Sequence, residues 1–146
     1  MSSRLLTDLH PDLYPLATHF LALCKARGLD LVVTCTYRSN DEQAALYAQG
    51  RGSPGPIVTH AKPGQSKHNL VDAAGKPAAE AFDVVPILNG KPIWEDPRDP
   101  DSDWSNDWGW RVVGEVAEEV GLDWYGRPGS PFREAPHLQL RRGRAW

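Results

Sequence analysis

The chain has 146 residues and a formal net charge of -3 at pH 7, with 40% hydrophobic and 24% charged residues. A chain of this length can bury a core of its own, so we expect a single domain over residues 1–146. The charge gives no reason to expect nucleic acid as a partner, and no stretch approaches the roughly twenty apolar residues of a membrane span, so we expect no membrane insertion.

The first part of the chain predicts two helices around one strand. Apolar residues at helical spacing predict a helix from Pro11 to Arg27 that ends at Gly28, and LDLVVTCTY predicts a buried strand after it. SNDEQAALYAQG predicts a short helix, because Ser39 and Glu42 form an S-x-x-E capping box and Gly50 can end it. The Gly- and Pro-rich stretch RGSPGPIVTHAKPGQS predicts a long loop.

The second part predicts more sheet and one further helix. EAFDVVPIL, Asn89-Gly90 and KPIW predict a hairpin, and PHLQL predicts the last strand. WSNDWGWRVVGEVAEEVG predicts a helix with Trp108 on its buried stripe, so that only Trp104 or Trp110 faces a cleft. Helices and strands without a βαβ repeat predict an α+β fold, with a small, mainly antiparallel sheet flanked by helices.

Five histidines are available for chemistry. His10 and His19 lie beside or within the first helix, where surface or capping roles are the simpler interpretation, and His60 lies in the long loop. His137 is different, because EAPHLQL places it at a strand three residues after Glu134. A carboxylate beside a metal-ligating histidine can take a proton from an attacking water, although E-x-x-H alone favours an ordinary histidine.

His68 has two carboxylates within its own segment of the chain. Catalytic zinc commonly takes two histidines and one carboxylate and leaves a fourth position for water. Asp72 lies four residues after His68, which suits a helix, but the intervening NLV is a poor helix start. Asp83 stands in the strand-like AFDVVP, where a buried carboxylate needs a partner such as a metal. The residues by themselves leave both aspartates open.

Arg38 stands between a predicted strand and a predicted helix, a place from which side chains reach into clefts. Its guanidinium could hold a carboxylate or an oxyanion, and the alternative is surface pairing with Asp41 or Glu42. The two cysteines, Cys24 and Cys35, form no C-x-x-C motif and read as small apolar residues.

The order of these motifs resembles the zinc D-Ala-D-Ala carboxypeptidase family, and within it most nearly the phage endolysins that cut the L-Ala-D-Glu bond of peptidoglycan stem peptides. The matching segments are YRSNDEQAALYAQGR, PGPIVTHAKPGQSKHN, AFDVVP, WGWRVVGEVAEEVGLDW and EAPHLQL. The family's signature is S-x-H, then A-x-D, then an acidic residue three before a histidine. The residues that match it in order are Ser66, His68, Ala81, Asp83, Glu134 and His137.

The resemblance implies a hedgehog/D,D-peptidase-like fold with Zn²⁺ in a cleft on the sheet. It implies three zinc ligands, His68, Asp83 and His137. It makes Glu134 the general base and Arg38 the residue that steadies the substrate carbonyl and its developing oxyanion. It also suggests three substrate-binding residues, Ser66, Gln43 and Tyr37.

Two departures from the family pattern affect these expectations. DAAGKPAAE is inserted between His68 and Asp83, and we expect it to form a loop. Glu134 is the residue of the carboxypeptidases, whereas the nearest endolysins tend to carry aspartate there. A D-Ala-D-Ala carboxypeptidase is therefore one alternative, and a non-catalytic metal-binding module of the same fold is another.

The resemblance also implies a biological context. We expect a monomeric endolysin that is synthesised in the host cytoplasm without a signal peptide and has no separate cell-wall-binding domain. It would reach the cell wall through a holin pore and lyse the host by cleaving stem peptides. The arginine-rich ending RRGRAW is most simply a solvated chain end, and the alternative is that it assists on an anionic envelope.

Overall fold

Two helices pack on one face of an antiparallel sheet in a computed structural model that describes residues 2–93, 108–127 and 135–142. The helices are α1 (Tyr14–Ala26), α2 (Asn40–Ala48) and α3 (Trp108–Val120). The strands are β1 (Asp30–Cys35), β2 (Ala81–Leu88), β3 (Lys91–Pro92), β4 (Leu122–Trp124) and β5 (His137–Leu140). Short 3-10 turns occur at Leu6–Asp8 and Lys67–Asn69.

The sheet runs in the order β1-β2-β5-β4, with β3 paired to the end of β2. Every pairing between these strands is antiparallel, which confirms the predicted α+β class. We did not predict β4, because three residues are too short to show an alternating pattern. It forms by pairing with β5, where Leu122 lies opposite Leu140. No helix in the described residues is long and apolar enough to cross a membrane.

Local sequence signals set the ends of several elements. The Ser39 hydroxyl accepts the Glu42 N–H at 3.2 Å, which confirms the capping box of α2. Asn89 and Gly90 both have positive φ, 53° and 77°, as a tight hairpin turn requires. The first helix begins at Tyr14, later than predicted, because the preceding residues form a turn that is closed by backbone hydrogen bonds to His10.

The hydrophobic core lies between the sheet and helices α1 and α3. Phe20 of α1 meets Phe82 of β2 edge to face, with ring centroids 5.8 Å apart. Val84 lies two residues after Phe82 and is also fully buried. Since successive side chains on a strand point to opposite faces, Asp83 between them faces away from this core.

The prediction for the tryptophans of α3 is wrong. Trp110 is fully buried, and Trp108 is 46% exposed. At about 100° per residue, Trp110 falls beside the buried positions Val113 and Ala117, whereas Trp108 falls on the opposite side of the helix. Trp104 lies outside the described residues.

The inserted segment DAAGKPAAE is only partly a free loop. It starts as a turn in which Asp72 Oδ1 accepts the N–H groups of Ala74 and Lys76 at 2.8 and 2.9 Å. Further on, Ala79 is fully buried and its carbonyl accepts the His10 N–H at 2.8 Å. The insertion therefore packs against the N-terminal segment before the chain enters β2.

Candidate metal centre and active site

Three strands bring Cys35, Asp83 and His137 into one row across the sheet. Asp83 of β2 lies opposite Cys35 of β1 on one side and opposite His137 of β5 on the other. Directly opposed residues of antiparallel strands carry their side chains on the same face. The row therefore lies on the face of the sheet away from α1 and α3.

A β-bulge in β1 decides which of its residues joins the row. Val33 lies opposite Val84, but the next pair is Cys35 with Asp83, so Thr34 is the extra residue. Without the bulge, regular pairing would place Thr34 opposite Asp83. The strand-like pattern of LVVTCTY contains no signal for this irregularity.

His68 reaches the row from outside the sheet, on the 3-10 turn Lys67–Asn69. The Ser66 hydroxyl accepts the His68 N–H at 3.2 Å and caps this turn. The turn is also tied to Arg38: the Arg38 N–H donates to the His68 carbonyl at 2.8 Å, and the Asn69 amide donates to the Arg38 carbonyl at 2.8 Å. These bonds hold the backbone of His68 beside the end of β1.

Both histidines contact the same carboxylate oxygen. Asp83 Oδ1 is 3.2 Å from His68 Nε2 and 3.3 Å from His137 Nδ1. His68 Nδ1 donates to the Thr36 carbonyl at 2.8 Å, and His137 Nε2 lies 2.9 Å from Gln139 Oε1. Such outer contacts orient metal-ligating imidazoles. Two imidazole nitrogens and one carboxylate oxygen are a donor set that suits catalytic zinc.

Burial and charge act against each other in this cluster. Burial lowers the pKa of His68, but the charge of Asp83 and hydrogen bonds with Asp83 and Cys35 outweigh it and raise that pKa to about 10. Burial raises the pKa of Asp83, but the charge of His68 and hydrogen bonds with His137 and His68 hold it well below its usual range. The ionised Asp83 carboxylate therefore favours a positive charge between itself and the histidines. Either a proton on an imidazole or a bound divalent cation can supply that charge.

Cys35 contacts the same cluster, which its interpretation as a small apolar residue did not anticipate. Its Sγ lies 3.6 Å from His68 Nδ1 and 3.6 Å from Arg38 Nη2. Cys35, His68 and Asp83 each offer a donor atom within 4.8 Å of the other two, so the thiol is a further metal donor by distance. The histidine nitrogen nearest the sulfur already donates to the Thr36 carbonyl. Asp83 with the two histidines is therefore the better converging set.

Arg38 lies at the edge of the cluster, with its side chain 15% exposed. Its Nη2 is 3.8 Å from Asp83 Oδ2, and its Nη1 donates to Gln43 Oε1 at 3.1 Å. The guanidinium therefore contacts the site. Hydrogen bonds are the larger cause of the lowered pKa of Glu42, and the charge of Arg38 also helps to lower it. Gln43 has no exposed surface, which places it behind Arg38 rather than against a substrate.

A cleft of about 330 Å³ opens beside the cluster. Four of the predicted site residues line it, namely Arg38, Ser66, His68 and His137. Tyr37 is not part of this lining and packs against the hydrophobic core. Asp72 lies in its exposed turn, away from the two histidines that contact Asp83. Glu134 lies outside the described residues.

Two aromatic residues at the end of β4 support the segment of His137, and we did not identify either from the sequence. The Tyr125 ring lies 4.7 Å from the His137 ring between centroids, and the Tyr125 N–H donates to the His137 carbonyl at 3.0 Å. The Trp124 indole donates to the Ala135 carbonyl at 2.6 Å. The adjacent pair Trp124-Tyr125 was the available signal, but it has no meaning until β4 is known to pair with β5.

Comparison with known proteins shows a family match and a related enzyme. The family model described as VanY, D-alanyl-D-alanine carboxypeptidase, matches residues 6–80. The peptidoglycan L-alanyl-D-glutamate endopeptidase CwlK of Bacillus subtilis (strain 168) is 34% identical over 135 residues, which are 92% of this chain and 74% of CwlK.

Two solved structures share the fold. The L-Ala D-Glu endopeptidase ChiX of Serratia marcescens has a TM-score of 0.56 at 21% identity, over 97% of this chain and 89% of that one. A variant of the vancomycin resistance D,D-pentapeptidase VanY from a VanB-type resistance cassette, in complex with Zn(II), has a TM-score of 0.54 at 16% identity, over 90% and 72%. Together with the family match and the identity to CwlK, these findings show that the chain belongs to the VanY family of D-alanyl-D-alanine carboxypeptidases and is a peptidase of that family.

Proposed function

We propose that the protein is a zinc-dependent endopeptidase that hydrolyses the L-Ala-D-Glu bond of peptidoglycan stem peptides. The observation that carries the proposal is the convergence of His68, His137 and Asp83 beside a cleft. The choice of bond is supported by the similarity to CwlK, which is named for that activity. The choice of zinc is supported by the donor set and by a structural neighbour solved with Zn(II).

Three side-chain atoms would hold the metal: His68 Nε2, His137 Nδ1 and Asp83 Oδ1. When bound, zinc supplies Lewis-acid activation of water and of the scissile carbonyl near neutral pH. Because His68 Nδ1 donates to the Thr36 carbonyl, the proton of the neutral ring is on Nδ1 and the Nε2 lone pair is left for a metal. The row across the sheet holds Asp83 and His137 with the rigidity of paired strands.

Two further residues take part in the proposed chemistry. Arg38, on the cleft wall, binds the scissile carbonyl oxygen and stabilises the negative charge that develops on it, an effect often worth about 3 kcal/mol. Glu134 takes a proton from the attacking water and passes it to the leaving amine. Its assignment rests on its position three residues before His137 in the sequence.

The charge of the cleft suits this substrate. Among the described residues that line the cleft none is acidic, and Arg38, His60 and Lys67 supply basic groups. D-Glutamate has two carboxyl groups, and only one of them continues the stem peptide. The other leaves a negative charge near the scissile bond unless it is amidated, and the basic lining favours a peptide with that charge.

Release of the terminal D-Ala from stem peptides is the second candidate activity. It is favoured by the family match over residues 6–80 and by glutamate rather than aspartate at position 134. Both activities would use the same metal ligands and the same arginine. The geometry of the described residues is compatible with both, and the products of the reaction distinguish them.

The decisive experiment is mass spectrometry of purified peptidoglycan after digestion by the zinc-loaded protein, with and without a chelator. New L-Ala C-termini and D-Glu N-termini that disappear with the chelator would support the endopeptidase. Loss of terminal D-Ala alone would replace it with the carboxypeptidase. The absence of any metal-dependent product would reject both activities and leave a metal-binding module. Asp83→Asn serves as the control for products formed by a contaminating enzyme.

Lysis of a host cell through a holin pore stays a prediction. It can be tested by producing the protein in the bacterial cytoplasm with and without a co-expressed holin and following the turbidity of the culture. We expect the turbidity to fall only with the holin. Intact cells under both conditions, from a protein active on purified peptidoglycan, would contradict the lytic role.

A further inference from the structure

A single buried amide connects Arg38 to the wall of the cleft. Gln43, on α2, has no exposed surface. Its Oε1 accepts a hydrogen bond from Arg38 Nη1 at 3.1 Å. Its Nε2 donates to the Ala61 carbonyl at 2.7 Å and to the Thr59 hydroxyl at 3.3 Å. Arg38, Thr59 and Ala61 all line the cleft, whereas Gln43 stands behind them.

The loop that carries Thr59 and Ala61 depends on such ties. The stretch between α2 and the 3-10 turn at Lys67–Asn69 contains no helix or regular strand. Two further ties near the end of α2 are at the exposed surface. Arg51 Nη1 donates to the Tyr47 carbonyl of α2 and to the Thr59 carbonyl of the loop, and Gln49 Nε2 donates to the Pro56 carbonyl. Gln43 is the buried link, and buried hydrogen bonds are less open to competition from water.

Among the described residues, Gln43 also makes the shortest side-chain contact with the Arg38 guanidinium. The other contacts of the guanidinium are longer, 3.6 Å to Cys35 Sγ and 3.8 Å to Asp83 Oδ2. The guanidinium is a rigid planar group, so a bond to one terminal nitrogen constrains the orientation of the whole plane. Arg38 Nε is buried and has no hydrogen-bond partner among the described residues, so it adds no further restraint on the plane.

The polarity of these contacts explains why the residue is glutamine. One end of the side chain must accept from a cation, and the other must donate to a carbonyl. Glutamate in place of Gln43 would pair with Arg38 but would set a negative charge against the carbonyl oxygen of Ala61. Methionine has a similar length, but it cannot donate to the carbonyl and its sulfur accepts only weakly.

We propose that Gln43 is a positioning residue that fixes the Arg38 guanidinium relative to the cleft wall formed by Thr59 and Ala61. The proposal rests on the proposed peptidase activity, in which Arg38 binds the scissile carbonyl. It assigns Gln43 no contact with the substrate.

The test is a double-mutant cycle of Gln43→Met and Arg38→Ala, measured as kcat and KM on whichever stem-peptide bond the wild-type protein cuts. Gln43→Met should lower kcat/KM by about 10- to 100-fold, mainly through kcat, and should leave zinc affinity unchanged. In the Arg38→Ala background the same substitution should cost less than about 3-fold, because its effect passes through Arg38. Equal losses in both backgrounds would overturn the proposal.

Gln49, the C-cap residue of α2, offers a matched control. Its Nε2 donates to the Pro56 carbonyl at 3.0 Å, so it also ties the loop to the region of α2. This bond is exposed, and Gln49 is not among the described residues that contact the Arg38 guanidinium. Gln49→Met should therefore leave kcat/KM within about 2-fold of the wild-type value. A loss as large as that of Gln43→Met would show that any loosening of the loop is enough and would reject the specific role of Gln43.

Hydrogen exchange gives a reading that does not need activity. Gln43→Met should speed amide hydrogen exchange at residues 59–61. Gln43→Glu should also speed exchange there, although the glutamate would still pair with Arg38. Unchanged exchange in both variants would refute the tie even if the wild-type protein cuts no stem peptide. If exchange rises but the wild-type protein is inactive, the proposed function fails and the tie to the loop stands.

Discussion

The assignment of Asp83 rather than Asp72 to the metal centre can be tested with one pair of substitutions. Asp83→Asn keeps the shape of the side chain but removes the negative charge that lies 3.2 and 3.3 Å from the two imidazole nitrogens. Loss of an outer contact to a metal ligand commonly costs 10- to 100-fold in affinity. Since Asp83 contacts both histidines directly, we expect a loss of at least about 100-fold in zinc affinity, or ~2.7 kcal/mol.

Asp72→Asn should behave differently, because Asp72 Oδ1 only accepts two backbone N–H groups of its own turn. Asparagine keeps that oxygen, so zinc affinity should stay within about 2-fold and the free energy of unfolding should fall by about 1 kcal/mol or less. Zinc affinity would be measured by competition with a chromophoric chelator, and thermal unfolding of the metal-free variants would show that both are folded. A folded Asp83→Asn that binds zinc like the wild-type protein, or an Asp72→Asn that loses zinc equally, would refute the assignment.

Three further predictions concern the base, the packing behind the site and the metal. Glu134→Ala should retain zinc and abolish cleavage of stem peptides, and near-full activity would remove Glu134 from the mechanism. Gly114→Ala would place a Cβ 2.5 Å from the Trp124 ring and should lower the free energy of unfolding by about 1–3 kcal/mol. At Gly52 an added Cβ meets open space, so Gly52→Ala should change the free energy of unfolding by less than ~0.5 kcal/mol. Equal losses for the two variants in thermal unfolding would contradict this packing argument. Free zinc at about 100 times its Kd should add ~2.7 kcal/mol to the free energy of unfolding, and a melting temperature insensitive to a chelator would count against the metal site.

Features that depend on a few neighbouring residues could be predicted from the sequence. The capping box of Ser39 and Glu42 and the turn at Asn89-Gly90 are local, because their hydrogen bonds and backbone angles involve residues that are adjacent or three apart. The α+β class followed from the same local patterns. The buried face of α3 could not be predicted from these local patterns, because two tryptophans two residues apart are both apolar candidates for the core. Packing against the sheet buries Trp110 and leaves Trp108 exposed.

The site shows where local information ends. Sequence patterns and the family resemblance single out His68, Asp83 and His137, and their roles as ligands stay predictions, as do those of Glu134 and Arg38. The residues alone could not separate Asp72 from Asp83, since each lies at a plausible distance along the chain. Pairing of β2 with β5 places Asp83 opposite His137, whereas Asp72 is engaged in its own turn.

Only the tertiary structure decided how the surroundings of the site are assembled. The bulge at Thr34 turns Cys35 onto the face of Asp83, and the fold of the long loop around α2 buries the Gln43 amide behind Arg38. These contacts join residues that are 16 to 48 positions apart in the sequence. Over such separations, the register of the strands and the path of the loops determine which residues come into contact. The sequence by itself determined the chemical groups that the protein has available and the local elements that carry them. Strand register and loop packing determined which of those groups share one cleft. Register and packing depend on the burial of the whole core and not on any single segment, so no local pattern reveals them.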